Sequence, residues 1–108
     1  MERVTKEILY AVGITPRYKG HWYIEYSMHI LKHDEELLYK IAASLYSKVA
    51  AHYDVSIYSV EYDIRTAIIV AWKTNRNLLE EICKVKLYKP PTNKEFLENL
   101  LSYLRKYI

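Results

Sequence analysis

Glu25, His29 and His33 recur at intervals of four, so one helix face would present all three. Imidazole and carboxylate are ordinary zinc ligands. Three ligands spread over two full turns are too far apart for one ion, however, and no H-E-x-x-H pattern accompanies them. They read as a polar helix face, and neither a metal nor a cofactor is expected. Glu35-Glu36 and Glu80-Glu81 are adjacent carboxylates. On a helix, neighbours point about 100° apart, so neither pair suits acid/base work. Cys83 has no evident base beside it and reads as a small buried hydrophobe. A lone cysteine supports neither an internal disulfide nor a multi-cysteine zinc site. The two glycines, Gly13 and Gly20, sit in no phosphate-binding loop. No enzyme class gains positive support, and no small-molecule substrate is expected.

The segment from Tyr46 to Arg65 carries a different chemistry. It reads helix, tight turn, helix, the grammar of a DNA-binding helix-turn-helix. Ala50 is small where two helices would cross, and Asp54 sits at the turn. Tyr53, Val55 and Val60 are apolar where the two helices would face each other. The second helix, about 56–73, would turn Ser56, Ile57, Tyr58, Ser59, Glu61, Tyr62 and Arg65 outward, into a major groove. Arg65 can pair bidentately with guanine, and Glu61 can accept from cytosine N4. Tyr58 and Tyr62 can touch thymine methyls or phosphates, and Ser56 and Ser59 are expected on the phosphate backbone. An ordinary helix pair inside an all-α bundle shares this pattern.

The elements that must position these residues are helical. Val4, Ile8, Ala11 and Val12 recur at helical spacing, and Gly13 is placed to end that helix. Thr15-Pro16 breaks the chain. Tyr23, Tyr26, Ile30 and Leu31 form a second stripe, over about 20–32. Asp34 reads as an N-cap with Glu35 and Glu36 in the first turn. Leu38, Ile41, Leu45 and Val49 then carry one helix to about Tyr53, with a kink near Ser47. Ser56 can cap the next helix, whose buried stripe is Val60, Ile64, Ala67, Ile68 and Ala71. Asn75 or Asn77 starts a short helix through Ile82. After Lys89-Pro90-Pro91, Thr92 and Glu95 form a capping box for the last helix, with Phe96, Leu97, Leu100, Leu101 and Leu104 inward. The expectation is an all-α, six-helix single domain over 1–108, without internal repeats.

Composition agrees. About half of the 108 residues are apolar, enough for one core. No apolar run is long enough to cross a membrane, and Met1-Glu2-Arg3-Val4 offers no secretory h-region. The net charge is +3, with a pI near 8.9. From Lys73 to Ile108 there are eight basic residues and four acids, so this third carries +4 and the remainder is close to neutral. That balance permits nucleic-acid binding without demanding it. Most of the twelve tyrosines must fill core edges, since one helix cannot present them all.

Several blocks, in order, resemble the C-terminal DNA-binding effector domain of stage 0 sporulation protein A, a sporulation response regulator. They are Val12-Gly13-Ile14 with Lys19-Gly20-His21-Trp22-Tyr23, then Leu45-Tyr46 with Val49-Ala50. Val60-Glu61-Tyr62-Asp63-Ile64-Arg65-Thr66-Ala67-Ile68-Ile69-Val70-Ala71-Trp72 and Lys89-Pro90-Pro91-Thr92-Asn93-Lys94-Glu95-Phe96 complete them. The resemblance runs from about Ile8 to Arg105. It implies six helices, with the third and fourth forming the helix-turn-helix. It also implies sequence-specific binding of double-stranded DNA as a transcription regulator, often as head-to-tail copies on tandem operators. Glu61 and Arg65 match family positions that face DNA. Lys89, Thr92, Asn93 and Lys94 match a segment suited to phosphate contact at the start of the last helix.

Three positions depart from the family. Arginines are usual where this chain has Ser59 and Tyr62, and one of them reads a base. Tyr62 removes that bidentate guanine contact, worth roughly 1–3 kcal/mol of discrimination. Asp63 replaces a small residue and is expected to set a second carboxylate beside Glu61. A receiver domain needs more than 100 residues of its own, so no receiver and no phosphorylation switch are expected here. These departures leave an alternative, a fold-retaining interaction module that binds DNA weakly and acts through protein contacts or by competing with a full-length regulator. The expected setting is the cytoplasm, on the nucleoid. Off DNA a monomer is expected, because no helix shows an exposed heptad seam.

Overall fold

Local start and stop signals account for most helix ends. The computed structural model describes residues 2–107; Met1 and Ile108, the ends of the expected 1–108 domain, lie outside them. The α-helices are α1 (Glu2–Ala11), α2 (Lys19–Leu31), α3 (Ser47–Tyr53), α4 (Ile57–Thr74), α5 (Arg76–Cys83) and α6 (Asn93–Leu104). No strand occurs among the described residues, so the fold is all-α with six α-helices, as the sequence predicts. Gly13, at φ 98°, ends α1 where a side chain would be strained. The Ser56 hydroxyl oxygen accepts from the Ser59 amide at 3.0 Å and caps α4. Asn75 caps α5 through the Leu78 amide at 3.1 Å, while its own amide donates to the Ala11 carbonyl at 3.1 Å. Asp54 closes α3 in the left-handed region, at φ 55° and ψ 51°, a conformation that aspartate tolerates better than most residues.

The expected continuous helix over 34–53 is absent. Asp34 does cap, its carboxylate accepting from the Glu36 amide at 3.2 Å, but it starts only a 3-10 turn, Glu35–Leu38. The chain breaks at Lys40, with φ 50°, and resumes as a π-helical turn, Ala42–Tyr46, that runs into α3. The Ser44 hydroxyl sits at the break. It lies 2.6, 2.8 and 2.9 Å from the carbonyls of Leu37, Tyr39 and Lys40, and its one proton can serve one of them at a time. The expected kink near Ser47 falls at the π-to-α junction, and the larger interruption lies seven residues earlier.

One core gathers residues from every helix, among them Leu9, Ile24, Leu45, Ile64, Leu79 and Phe96. At its centre is α4, which packs against α2, α3, α5 and α6. Its buried residues are Val60, Ile64, Ala67, Ile68 and Ala71, the stripe that the sequence predicts. The closest approach is to α2. A Cβ on Gly20 would lie 2.3 Å from the Asp63 carbonyl oxygen and 2.7 Å from the Ala67 Cβ. Tyr53, expected between α3 and α4, also packs on α2. Its ring packs on Tyr23 and Tyr26 at 5.3 and 6.0 Å, and its hydroxyl donates to the Trp22 carbonyl at 3.3 Å.

The last helix starts on a reciprocal cap. The Glu95 amide donates to the Thr92 hydroxyl at 3.1 Å, and the Thr92 amide donates to the Glu95 carboxylate at 2.8 Å. The amide and hydroxyl of Thr92 hold the Glu95 carboxyl below its usual range.

Two stability measurements follow from this packing. Gly20→Ala should cost about 3 kcal/mol in urea denaturation, because the added carbon meets rigid backbone. A loss under about 1 kcal/mol would mean that α2 and α4 can separate freely at this point. Glu95→Ala should cost about 0.5 kcal/mol at neutral pH, a small effect because the carboxylate is exposed. The Glu95 pKa is lowered on folding, so its contribution is present above the ordinary value of 4.5 and is lost as the pH falls through the lower folded value. The gap between wild type and Glu95→Ala should therefore close below that pH; a gap that persists in acid would deny the carboxylate its capping role.

Candidate nucleic-acid interface

The first half of α4 has its inner face in the core and its outer face free. Tyr58 and Tyr62, one turn apart, are 73% and 51% exposed. Their rings stack with centroids 6.1 Å apart and planes 21° apart. Arg65 continues this stripe, and its guanidinium donates to the Glu61 carboxylate at 2.5 Å. Both side chains are about half exposed. An exposed i, i+4 pair of this kind is worth about 0.3–0.5 kcal/mol. A bidentate arginine–guanine contact is worth roughly 1–3 kcal/mol of discrimination. The pair therefore orders Arg65 without trapping it.

Asp63 does not stand beside Glu61 on this face, which corrects the sequence expectation. Residues two apart on a helix point to different sides. The Asp63 carbonyl faces Gly20, its side chain is half-buried, and its charge helps to raise the Tyr23 hydroxyl, whose shift comes mainly from burial. Asp63 thus belongs to the α2 side of α4.

On the other side, α4 and the start of α6 flank a groove of about 460 Å³. Arg65 and Glu61 line one wall, and Pro91, Thr92, Asn93 and Lys94 line the other. Lys94 is exposed there. The Thr92 hydroxyl is engaged in the capping box. The Asn93 side-chain amide donates to the Tyr46 hydroxyl at 3.1 Å and to the Glu61 backbone carbonyl at 3.0 Å. Lys89 lies apart, in a neighbouring depression shared with Lys86, Tyr88 and Glu95. Ser56 and Ser59 lie at the α4 start, where the Ser56 hydroxyl donates to the Ser59 hydroxyl at 3.0 Å. Of the residues singled out in sequence, Glu61, Arg65, Thr92, Asn93 and Lys94 thus line one groove. Tyr58, Tyr62, Ser56 and Ser59 lie along the upstream part of α4, and Lys89 stands alone.

Tyr46 has a part in this groove that the sequence reading missed. It is buried, and burial pushes its hydroxyl above the usual phenol value while Asn93 opposes the shift. A buried tyrosine hydroxyl calls for a partner, but the partner lies 47 residues away.

The other chemistry-bearing groups are occupied elsewhere. Glu80 accepts from the Leu87 amide and Glu81 from the Tyr103 hydroxyl, both at 2.7 Å. His29 is 3.0 Å from the Glu2 carboxylate, and Glu25 is 3.5 Å from the Lys6 ammonium. No group of three or more histidine, cysteine, aspartate and glutamate side chains is placed to hold a metal ion among the described residues. Burial, with a smaller contribution from Glu95, pushes the Cys83 thiol up to about 11, so it is protonated and unreactive at neutral pH. No helix among the described residues is long and apolar enough to cross a membrane.

A helix-turn-helix with a free outer face is an arrangement that DNA-binding domains use, and that ordinary helix pairs share. Comparison with protein families agrees: residues 5–104 match the family described as the sporulation initiation factor Spo0A C terminal. The chain belongs to that family and is a DNA-binding regulatory domain of the sporulation-factor type, not an enzyme.

Proposed function

We propose that this domain binds duplex DNA sequence-specifically, with α4 in the major groove and the start of α6 on a flanking phosphate strand. The observation that carries the reading is that Arg65 and Lys94 open on one groove from two different helices. One can meet a base edge while the other meets the backbone. Tyr58, Glu61, Tyr62 and Arg65 are the base-reading set. Ser56, Ser59, Lys89 and Lys94 serve the backbone. Thr92 and Asn93, whose side chains are engaged internally, contribute by forming the α6 start, where the free amides and the helix dipole favour phosphate. On tandem operators the domain acts as head-to-tail copies, and its place in the cell is the nucleoid.

One observation favours a second reading. Ile57, Tyr58, Tyr62 and Ile69 are all exposed on α4, an apolar surface that an interaction module could use for protein contact. Fluorescence anisotropy separates the two. Three labelled duplexes are titrated at several salt concentrations: the family's operator element, a scrambled version, and the gene's own upstream region. The DNA reading expects one duplex to be preferred. Arg65→Ala should then weaken binding to that duplex about tenfold or more and blunt the preference. Lys94→Ala should weaken binding to all three about equally and lower the salt slope by about one. Weak binding to all three duplexes, lost steeply with salt, would instead support the interaction module. An unchanged preference in Arg65→Ala would remove α4 from the groove.

A further inference from the structure

We infer that the Asn93 side chain is a positioning element, which bolts the start of α6 to the reading helix and does not itself bind phosphate. This rests on the reading of α4 as the DNA-contacting helix. The Asn93 amide nitrogen has two protons, and both have acceptors within the fold: the Tyr46 hydroxyl at 3.1 Å and the Glu61 carbonyl at 3.0 Å. The remaining polar atom of the side chain is an oxygen, an acceptor that phosphate repels. The Glu61 carbonyl lies inside α4, where helical bonding occupies one of its two lone pairs. Asn93 takes the other. The bond thus falls on the backbone of the turn that carries the Glu61–Arg65 pair. Tyr46 ends the π-helical turn that leads into α3, and it is buried. One amide therefore joins three segments: the turn before α3, the reading turn of α4, and the turn that carries Lys94. The result is a fixed separation between the base-reading arginine and the phosphate-facing lysine.

The experiment uses Asn93→Ala, Tyr46→Phe and the double variant, with two readouts. The first is amide hydrogen exchange over residues 57–65 in the free protein. The second is the ratio of affinities for the preferred and scrambled duplexes. Asn93→Ala should speed exchange in that segment about tenfold, consistent with the loss of two hydrogen bonds. It should lower the affinity ratio about tenfold while the salt slope stays close to wild type, and the cooperative melt should fall by roughly 5–10 °C, in step with the exchange. Tyr46→Phe should move both readouts in the same direction by less. Added to Asn93→Ala, it should cause no further loss, because both changes remove one bridge. Should Asn93→Ala fail to fold, Tyr46→Phe alone carries the test, since it keeps the ring. Equal weakening on all duplexes, with Tyr46→Phe silent, would make Asn93 a phosphate contact and overturn the inference. Unchanged exchange in free Asn93→Ala would overturn it whatever the DNA shows. If the wild type prefers no duplex, the reading of α4 fails, and the exchange result alone decides the role of Asn93.

Discussion

The close crossing of α2 over α4 at Gly20 is the constraint from which the rest of the molecule takes its shape. The absent side chain lets the α2 backbone rest against the Asp63 carbonyl and the Ala67 methyl. Ala67 and Ala71 keep the buried side of α4 narrow. A long helix can then be gripped by four others and still leave the outer face of its first turns free. The same crossing carries α3 with it, because Tyr53 packs on α2 and bonds to the Trp22 carbonyl. The angle between the two helices of the helix-turn-helix is thus held by α2 as well as by the turn.

Charge on the outer face of α4 is nearly balanced. Glu61 and Arg65 cancel, and Asp63 is turned toward α2. Ser59 and Tyr62 add no charge. Long-range attraction to DNA must therefore come from outside α4, chiefly from the basic last third of the chain. This separates two tasks. On the proposed reading, phosphate attraction would reside near the α6 start, and base discrimination would fall to Arg65 and to the stacked rings of Tyr58 and Tyr62.

What the sequence made legible is what one helical turn encodes. Ser56, Asn75 and the Thr92–Glu95 box each cap within three residues, and each does so in the structure. The apolar stripe of α4 is equally local. The same stripe misled over 34–53, where Leu38, Leu45 and Val49 stay buried although the backbone between them is broken. Apolar periodicity reports which side faces the core but not the backbone path, which here turns at Lys40, beside a serine hydroxyl set among three carbonyls. The candidate site was legible as residue types on α4 and at the α6 start. The internal use of Asn93 was not, since its partners lie 32 and 47 residues away in the chain.

The entry to α6 shows why several weak devices converge on one turn. Pro90 and Pro91 restrict the approach of the chain. The Thr92–Glu95 box fixes the first turn, and Asn93 ties it to α4. Each device is worth only about 1 kcal/mol. Together they leave Lys94 little choice of position relative to Arg65. A lysine on a freely moving loop would still attract phosphate, but it would do so at any register along the duplex. On the proposed reading, a lysine held at a fixed distance from α4 would favour the registers in which Arg65 also meets a base, and rigidity between two helices would become sequence preference.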